Sequence, residues 1–224
     1  MNLIAIETST SYCSAALITE TQQIEVKASS TKSHASLLTQ MSDEILREAG
    51  LSKNEIDCVA FGSGPGSFNG VRAAASFAHA VSIANKIPIM AISTLKALAF
   101  GSISPTTKHI LSIIDARQNE VYFAAYSVEG SNISSILQKE HNLSKPEEVF
   151  VPKGTGWVVA ICNGESFESK LPPQIRNMTH STATEPTALS VGKLAKIAHG
   201  GNMNHTLNNA MPLYLRHPVK NKIS

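Results

Sequence analysis

Between Gly62 and Arg72 the chain reads Gly-Ser-Gly-Pro-Gly-Ser-Phe-Asn-Gly-Val-Arg, with four glycines and one proline. An apolar run, Ile56 to Phe61, leads into this stretch, and an alanine-rich helical pattern, Val71 to Lys86, follows it. Strand, glycine-rich turn and helix is the layout that brings backbone amides to a helix N-terminus, where anions bind. Phosphate recognition is therefore the first chemistry to test. A P-loop needs a lysine after its last glycine, and this stretch has none. A dinucleotide fingerprint needs a third glycine where Ser67 stands. The alternative is a rigid turn in which Pro65 fixes φ and the glycines let the next helix pack tightly. Arg72, at the start of that helix, has the geometry to meet a phosphate or a carboxylate across an interface.

Other reactive groups give less. No two histidines stand four apart: His34 is followed by Leu38 and His79 by Ile83, so a helix-face metal site is not expected. Ser67 lies in Gly-Pro-Gly-Ser-Phe, without the spacing of a nucleophile elbow. Cys13, Cys58 and Cys162 form no C-x-x-C pair, and each sits in or beside an apolar run, which reads as buried free thiols in a reducing cytoplasm. Two acids, Glu7 and Asp115, each end an apolar strand. Such carboxylates could organise a metal and a water if they faced a cleft. They could equally cap the turns that follow them.

The elements that must position these groups follow from periodicity. Leu3 to Ile6, Cys13 to Thr19 and Ile24 to Ala28 read as an antiparallel meander. His34 to Ala49 reads as a helix with Leu38, Met41, Ile45 and Ala49 on one face and Gly50 as its terminator. Ile56 to Phe61 is a strand, Val71 to Lys86 a helix, Ile87 to Ile92 a strand, and Thr94 to Phe100 a short helix. The long helix is apolar on two faces, Ala73-Phe77-Ala80-Ala84 and Ala74-Ala78-Val81, so it should be covered on two sides. Ser104 to Thr107 is a linker.

The chain then restarts. Leu111 to Asp115 matches Leu3 to Glu7 at an offset of 108, and Val121 to Tyr126 matches Cys13 to Ile18 without a gap. Strand, acid, turn and strand thus occur twice, which suggests duplicated lobes, 1–104 and 105–224. In the second lobe Trp157 to Cys162 should be an internal strand, Thr187 to His199 the closing helix and Pro212 to Leu215 a terminal strand. The fold class is α/β, and this layout is shared by the actin-like ATPase superfamily.

A net charge of +2 on 224 residues does not by itself argue for a nucleic-acid partner. No apolar stretch reaches membrane-span length, and Glu7 interrupts the first apolar run, so neither a span nor a leader is expected and the reading is cytoplasmic. The basic residues Arg216, Lys220 and Lys222 lie beyond the last acid, Glu185.

Several segments together resemble the bacterial TsaB (YeaZ) family. They are Ala5 to Thr10, Gly64 to Arg72, Ser93-Thr94-Leu95, Ile114 to Tyr122, Gly154 to Trp157 and Pro212 to Arg216, in family order over nearly the whole chain. Glu7, Asn69 and Ala74 depart from the family's usual Asp, Thr and Gly. The resemblance implies an actin-like (RNase H-like) fold of two duplicated lobes. It implies a subunit, not catalytic alone, that activates the homologous threonylcarbamoyltransferase TsaD in making N6-threonylcarbamoyladenosine at tRNA position 37. Implied partners are TsaD as a heterodimer, the TsaE ATPase and tRNA through the complex, and a second copy when the chain is alone. The implied interface is the helix pair 34–49 and 71–85, with Leu38, Met41, Arg72, Ala74, Ala78 and Val81. Asp115, Arg117 and Glu120 are implied nucleotide or subunit contacts, with ATP or ADP at the subunit junction and no firmly bound cofactor or metal. The alternative is a stand-alone actin-like ATPase or kinase.

Overall fold

The computed structural model describes residues 1–29, 34–199 and 210–215. Two mixed sheets carry the molecule. In the first half β1 (Leu3–Glu7), β2 (Tyr12–Ile18) and β3 (Gln23–Ser29) form the expected antiparallel meander. Helix α1 (His34–Ala49), β4 (Cys58–Gly62), helix α2 (Phe68–Asn85), β5 (Ile89–Ile92) and helix α3 (Thr94–Gly101) follow. β4 pairs in parallel with β1, and β5 with β4, giving the order β3-β2-β1-β4-β5.

The second half repeats that plan. β6 (His109–Arg117), β7 (Glu120–Glu129) and β8 (Asn132–Ser135) form a second meander, and a short β9 (Asn142–Ser144) also pairs with β7. β10 (Trp157–Cys162) runs parallel to β6, and β11 (Thr179–His180) parallel to β10, with helix α4 (Pro173–Arg176) between them. The order β8-β7-β6-β10-β11 mirrors that of the first sheet, element for element. This is the duplicated α/β arrangement that the repeat of strand, acid and turn anticipates. Short 3₁₀ turns at 146–148, 164–166 and 168–170 lie where the first half has its long helices.

Two expectations are corrected. Helix α5 (Ala188–His199) does not close the second lobe: it lies on the first sheet, where Ala188, Val191, Leu194 and Ala195 meet Leu3, Ala5, Ala16 and Cys58. Gly192 makes that approach close, since a Cβ there would stand 2.6 Å from Ile18 Cδ1. Helix α3, from the first half, packs instead on the second sheet through Leu95, Leu98 and Ala99. The two helices also touch each other, so they form the middle layer. The segment 212–215 is no strand: Leu213 N–H donates to Ser63 O at 2.7 Å, and no ladder follows. The basic residues Arg216, Lys220 and Lys222 lie outside the described residues.

Helix α2 begins three residues earlier than its apolar pattern. Ser67 is its N-cap, with Oγ accepting from Gly70 N–H at 3.4 Å, and Lys86 ends it in the left-handed region. Among the described residues no helix is long and apolar enough to cross a membrane.

Candidate functional site

The glycines of the loop serve the chain itself. A side chain at Gly62 would run into the Glu7 carboxylate, and one at Gly70 into the Thr8 carbonyl. At Gly66 a Cβ would stand 2.5 Å from the Ser9 carbonyl oxygen. The turn after β1 therefore lies directly against the loop, backbone on backbone. Hydrogen bonds fasten it there: Thr8 Oγ1 donates to Gly70 O at 2.7 Å, and Ser67 N–H donates to Ser9 O at 2.7 Å. Gly64 N–H is taken by Thr94 Oγ1 at 3.2 Å. The N–H groups of Gly64, Ser67 and Gly70, three that could have met a phosphate, are engaged by the fold, which favours the rigid-turn reading.

Glu7 is fully buried under this lid. Its Oε1 accepts from Ser9 N–H at 2.6 Å and its Oε2 from Thr94 Oγ1 at 3.2 Å. Burial pushes the carboxyl well above its ordinary range, and the hydrogen bonds from Ser9, Thr94 and Thr8 pull it only partly back. Asp115 does the matching job in the repeat: its Oδ1 accepts from Arg117 N–H at 2.8 Å, and Oδ2 lies 3.4 Å from Arg117 Nη1. Both acids cap the turn two residues on. Arg117, Gln118 and Asn119 all have positive φ, a run that costs local strain and fits a two-residue hairpin with an adjoining bulge.

A cleft of about 740 Å³ opens between the halves, with Thr10, Arg72, Asp115, Arg117, Asn163 and Tyr214 among its walls. Thr10 Oγ1 donates to Glu185 Oε2 at 3.0 Å, and Ser11 Oγ donates to Asn163 Oδ1 at 3.2 Å, so the first turn is tied to the second half. Burial also pushes Glu185 up, against smaller downward pulls from Thr10 and Lys27. Glu120 pairs with Arg117 in the hairpin ladder. The structure thus brings Asp115 and Arg117 to the cleft together with Arg72.

The expected interface set divides. Leu38, Met41, Ala74 and Ala78 are buried in this chain's own core between α1, α2 and the first sheet, so they cannot be direct contacts of the folded subunit. Val81 is half-buried against the same core, and Arg72 is exposed. Of the two apolar faces of α2, 74-78-81 points inward. The outer stripe runs through Phe68, Arg72, Ser76, Ala80, Ile83 and Ala84.

Sequence reasoning missed Phe68, Asn163, Tyr214 and Glu185. Phe68 and Tyr214 lay inside segments already singled out, whereas Asn163 is marked only by a left-handed φ that sequence does not announce. It also missed a contact of 2.7 Å between Ser93 Oγ and His141 Nε2. That Oγ is already the N-cap of α3, accepting from Lys96 N–H at 3.2 Å, and burial draws the His141 pKa down, so the pair reads as a tie between halves. The three cysteines are buried free thiols, with Cys13 and Cys58 each pushed up to about 11 by burial. Among the described residues no three His, Cys, Asp or Glu side chains form a group that could hold a metal ion.

Residues 23–206 match the profile of the family described as TsaD, tRNA N6-adenosine threonylcarbamoyltransferase. The Haemophilus influenzae tRNA threonylcarbamoyladenosine biosynthesis protein TsaB is 32% identical over 98% of this chain and 95% of its own length. The chain belongs to the TsaB family. The Escherichia coli TsaB is 30% identical over 70% of this chain and 72% of its own. Among solved structures, YeaZ from Pseudomonas aeruginosa superposes with a TM-score of 0.86 at 30% identity, covering 96% of this chain and 99% of that one. This TsaB-family chain therefore shares its whole fold with YeaZ, and it shares the bulk of its length with the transferase profile.

Proposed function

We propose that this TsaB-family chain is a non-catalytic subunit of tRNA threonylcarbamoyladenosine synthesis, docking on TsaD through the outer face of α1 and α2 and so activating it. The observation that carries the reading is the placement of the repeated acids in a chain that matches the transferase family. Glu7 is sealed in the core beneath Gly62, and Asp115 is engaged with its own turn, so neither stands ready to organise a reacting water. Because the chain is itself similar to TsaD over residues 23–206, a partner of that kind would bring an equivalent helix pair. Two such pairs can pack about a near two-fold axis, and the same surface would then serve a homodimer when the chain is alone. TsaE and tRNA would join through the complex, in the cytoplasm.

Light scattering in line with gel filtration tests this. The chain mixed with TsaD from its own organism should run as a 1:1 species. Ile83→Asp, on the exposed stripe, should split it, whereas a change at buried Ala78 would report on folding only. A chain that ignores TsaD would end the proposal.

The cleft with Arg72, Asp115 and Arg117 supports a second reading, a site for ATP or ADP. Calorimetric titration with ADP, repeated on Arg117→Ala, decides it: no heat from the native chain, alone or with TsaD, removes it.

A further inference from the structure

The strap that crosses the start of α2 carries side chains for which the fold has little internal use. Its ends are anchored: Ala210 is buried in the core under α1 and α2, and Leu215 packs against the core of the second sheet. Leu213 N–H holds the middle to Ser63 O. Tyr214, by contrast, is 47% exposed, Phe68 53% and Met211 64%. The Phe68 and Tyr214 rings lie 5.4 Å apart, the Arg72 guanidinium carbon stands 4.2 Å from the Phe68 centroid, and Arg72 Nε donates to the Tyr214 hydroxyl at 3.3 Å. Each member holds the next in place. Tyrosine and arginine are also the residue types that dominate interface energetics, and groups already ordered lose little entropy when a partner arrives.

Charge says what kind of partner fits. Helix α2 contains no acid, and Arg72 is the cation of its outer stripe. On neighbouring α1 the exposed residues include Asp43, Glu44 and Glu48 beside Arg47, with Asp43 also meeting Lys53 at 2.7 Å. A face that is cationic on one helix and mainly acidic on the next is complementary to a second face of the same design, turned about a two-fold.

We propose that the C-terminal strap is part of the docking surface: Tyr214, Phe68 and Arg72 form its binding hot spot for TsaD, which supplies a carboxylate to Arg72 from an equivalent helix pair. The inference rests on the proposed pairing with TsaD and adds that the strap, as well as α2, sets its affinity.

Titration calorimetry of the full chain with TsaD separates the two claims. Tyr214→Ala should weaken binding about thirtyfold, the loss of one hot-spot side chain, with an unchanged thermal midpoint. Tyr214→Phe, which keeps the stack and removes the acceptor for Arg72, should weaken it several-fold, and it decides the matter if the alanine variant proves less stable. Native affinity in both variants, while Ile83→Asp abolishes binding, overturns the strap and leaves the helix reading standing. Weakening by the Tyr214 variants alone upholds the strap and removes the helix stripe. Loss of self-association with TsaD binding untouched overturns the choice of partner and assigns the surface to a second copy.

Discussion

Glu7 is a buried carboxyl group, held by an amide and a hydroxyl. Its pKa is raised in the fold, so the unfolded chain, near the ordinary 4.5, gives up this proton first as pH climbs. Stability from the protonated acid is therefore complete below about pH 4.5 and drains away as pH rises through the higher folded value. Glu7→Gln keeps one oxygen for Ser9 N–H and puts an amide where the acid proton would meet Thr94. It should stabilise the protein on the order of 1 kcal/mol at pH 8 and leave it unchanged at pH 4. Thermal melts of both proteins across that range check the prediction, and an equal shift at both ends would refute it. The sequence marks Glu7 and Asp115 as equivalent by their place at two strand ends. What it does not show is the lid, because Gly62 looks like loop chemistry until its missing side chain is seen to make room for the acid.

Among the elements, α2 shows how pattern and placement separate. An alanine-rich helix with two apolar faces says that both are covered, and the spacing alone cannot rank them. Ala74 and Ala78 turn inward because the first sheet and α1 are there, while Ala80 and Ile83 are left outside. The strands and helices of the first half, with β6, β7, β10 and α5, are readable from alternation, caps and glycine stops; the short β8, β9, β11 and α4 are not, and the start of α2 at Phe68 depends on the Ser67 cap. The glycine loop supplies a test with an inverted sign. Replacing a helical glycine with alanine ordinarily gains up to about 1 kcal/mol. Gly70→Ala should instead cost about 1–3 kcal/mol, since its methyl group meets the Thr8 carbonyl and must push the first turn out of the cleft wall. Urea unfolding measures the difference, and a stabilised variant would show that the turn is not pressed against α2.

For the whole molecule, the deciding fact is the crossing of the last helices. Each half ends in a helix that covers the other half's sheet, α3 on the second and α5 on the first. The repeat in sequence predicts two lobes because strand, acid, turn and strand occur twice at an offset of 108. It is silent on crossing, since α3 and α5 have the same small apolar stripe and either would suit either sheet. Ties of Thr10 to Glu185 and Ser93 to His141 run in the same sense, from one half to the other. Neither sheet can then keep its inner face covered once the other half has opened, so the two should unfold as one cooperative unit. The chain's one tryptophan, Trp157, stacks on His109 in the second sheet, 4.8 Å between ring centroids, and reports that sheet alone. Its fluorescence and the far-ultraviolet circular dichroism of the full chain should follow one urea transition with the same midpoint. Two separated transitions would mean that each sheet holds its own core and that the exchanged helices are only a surface contact.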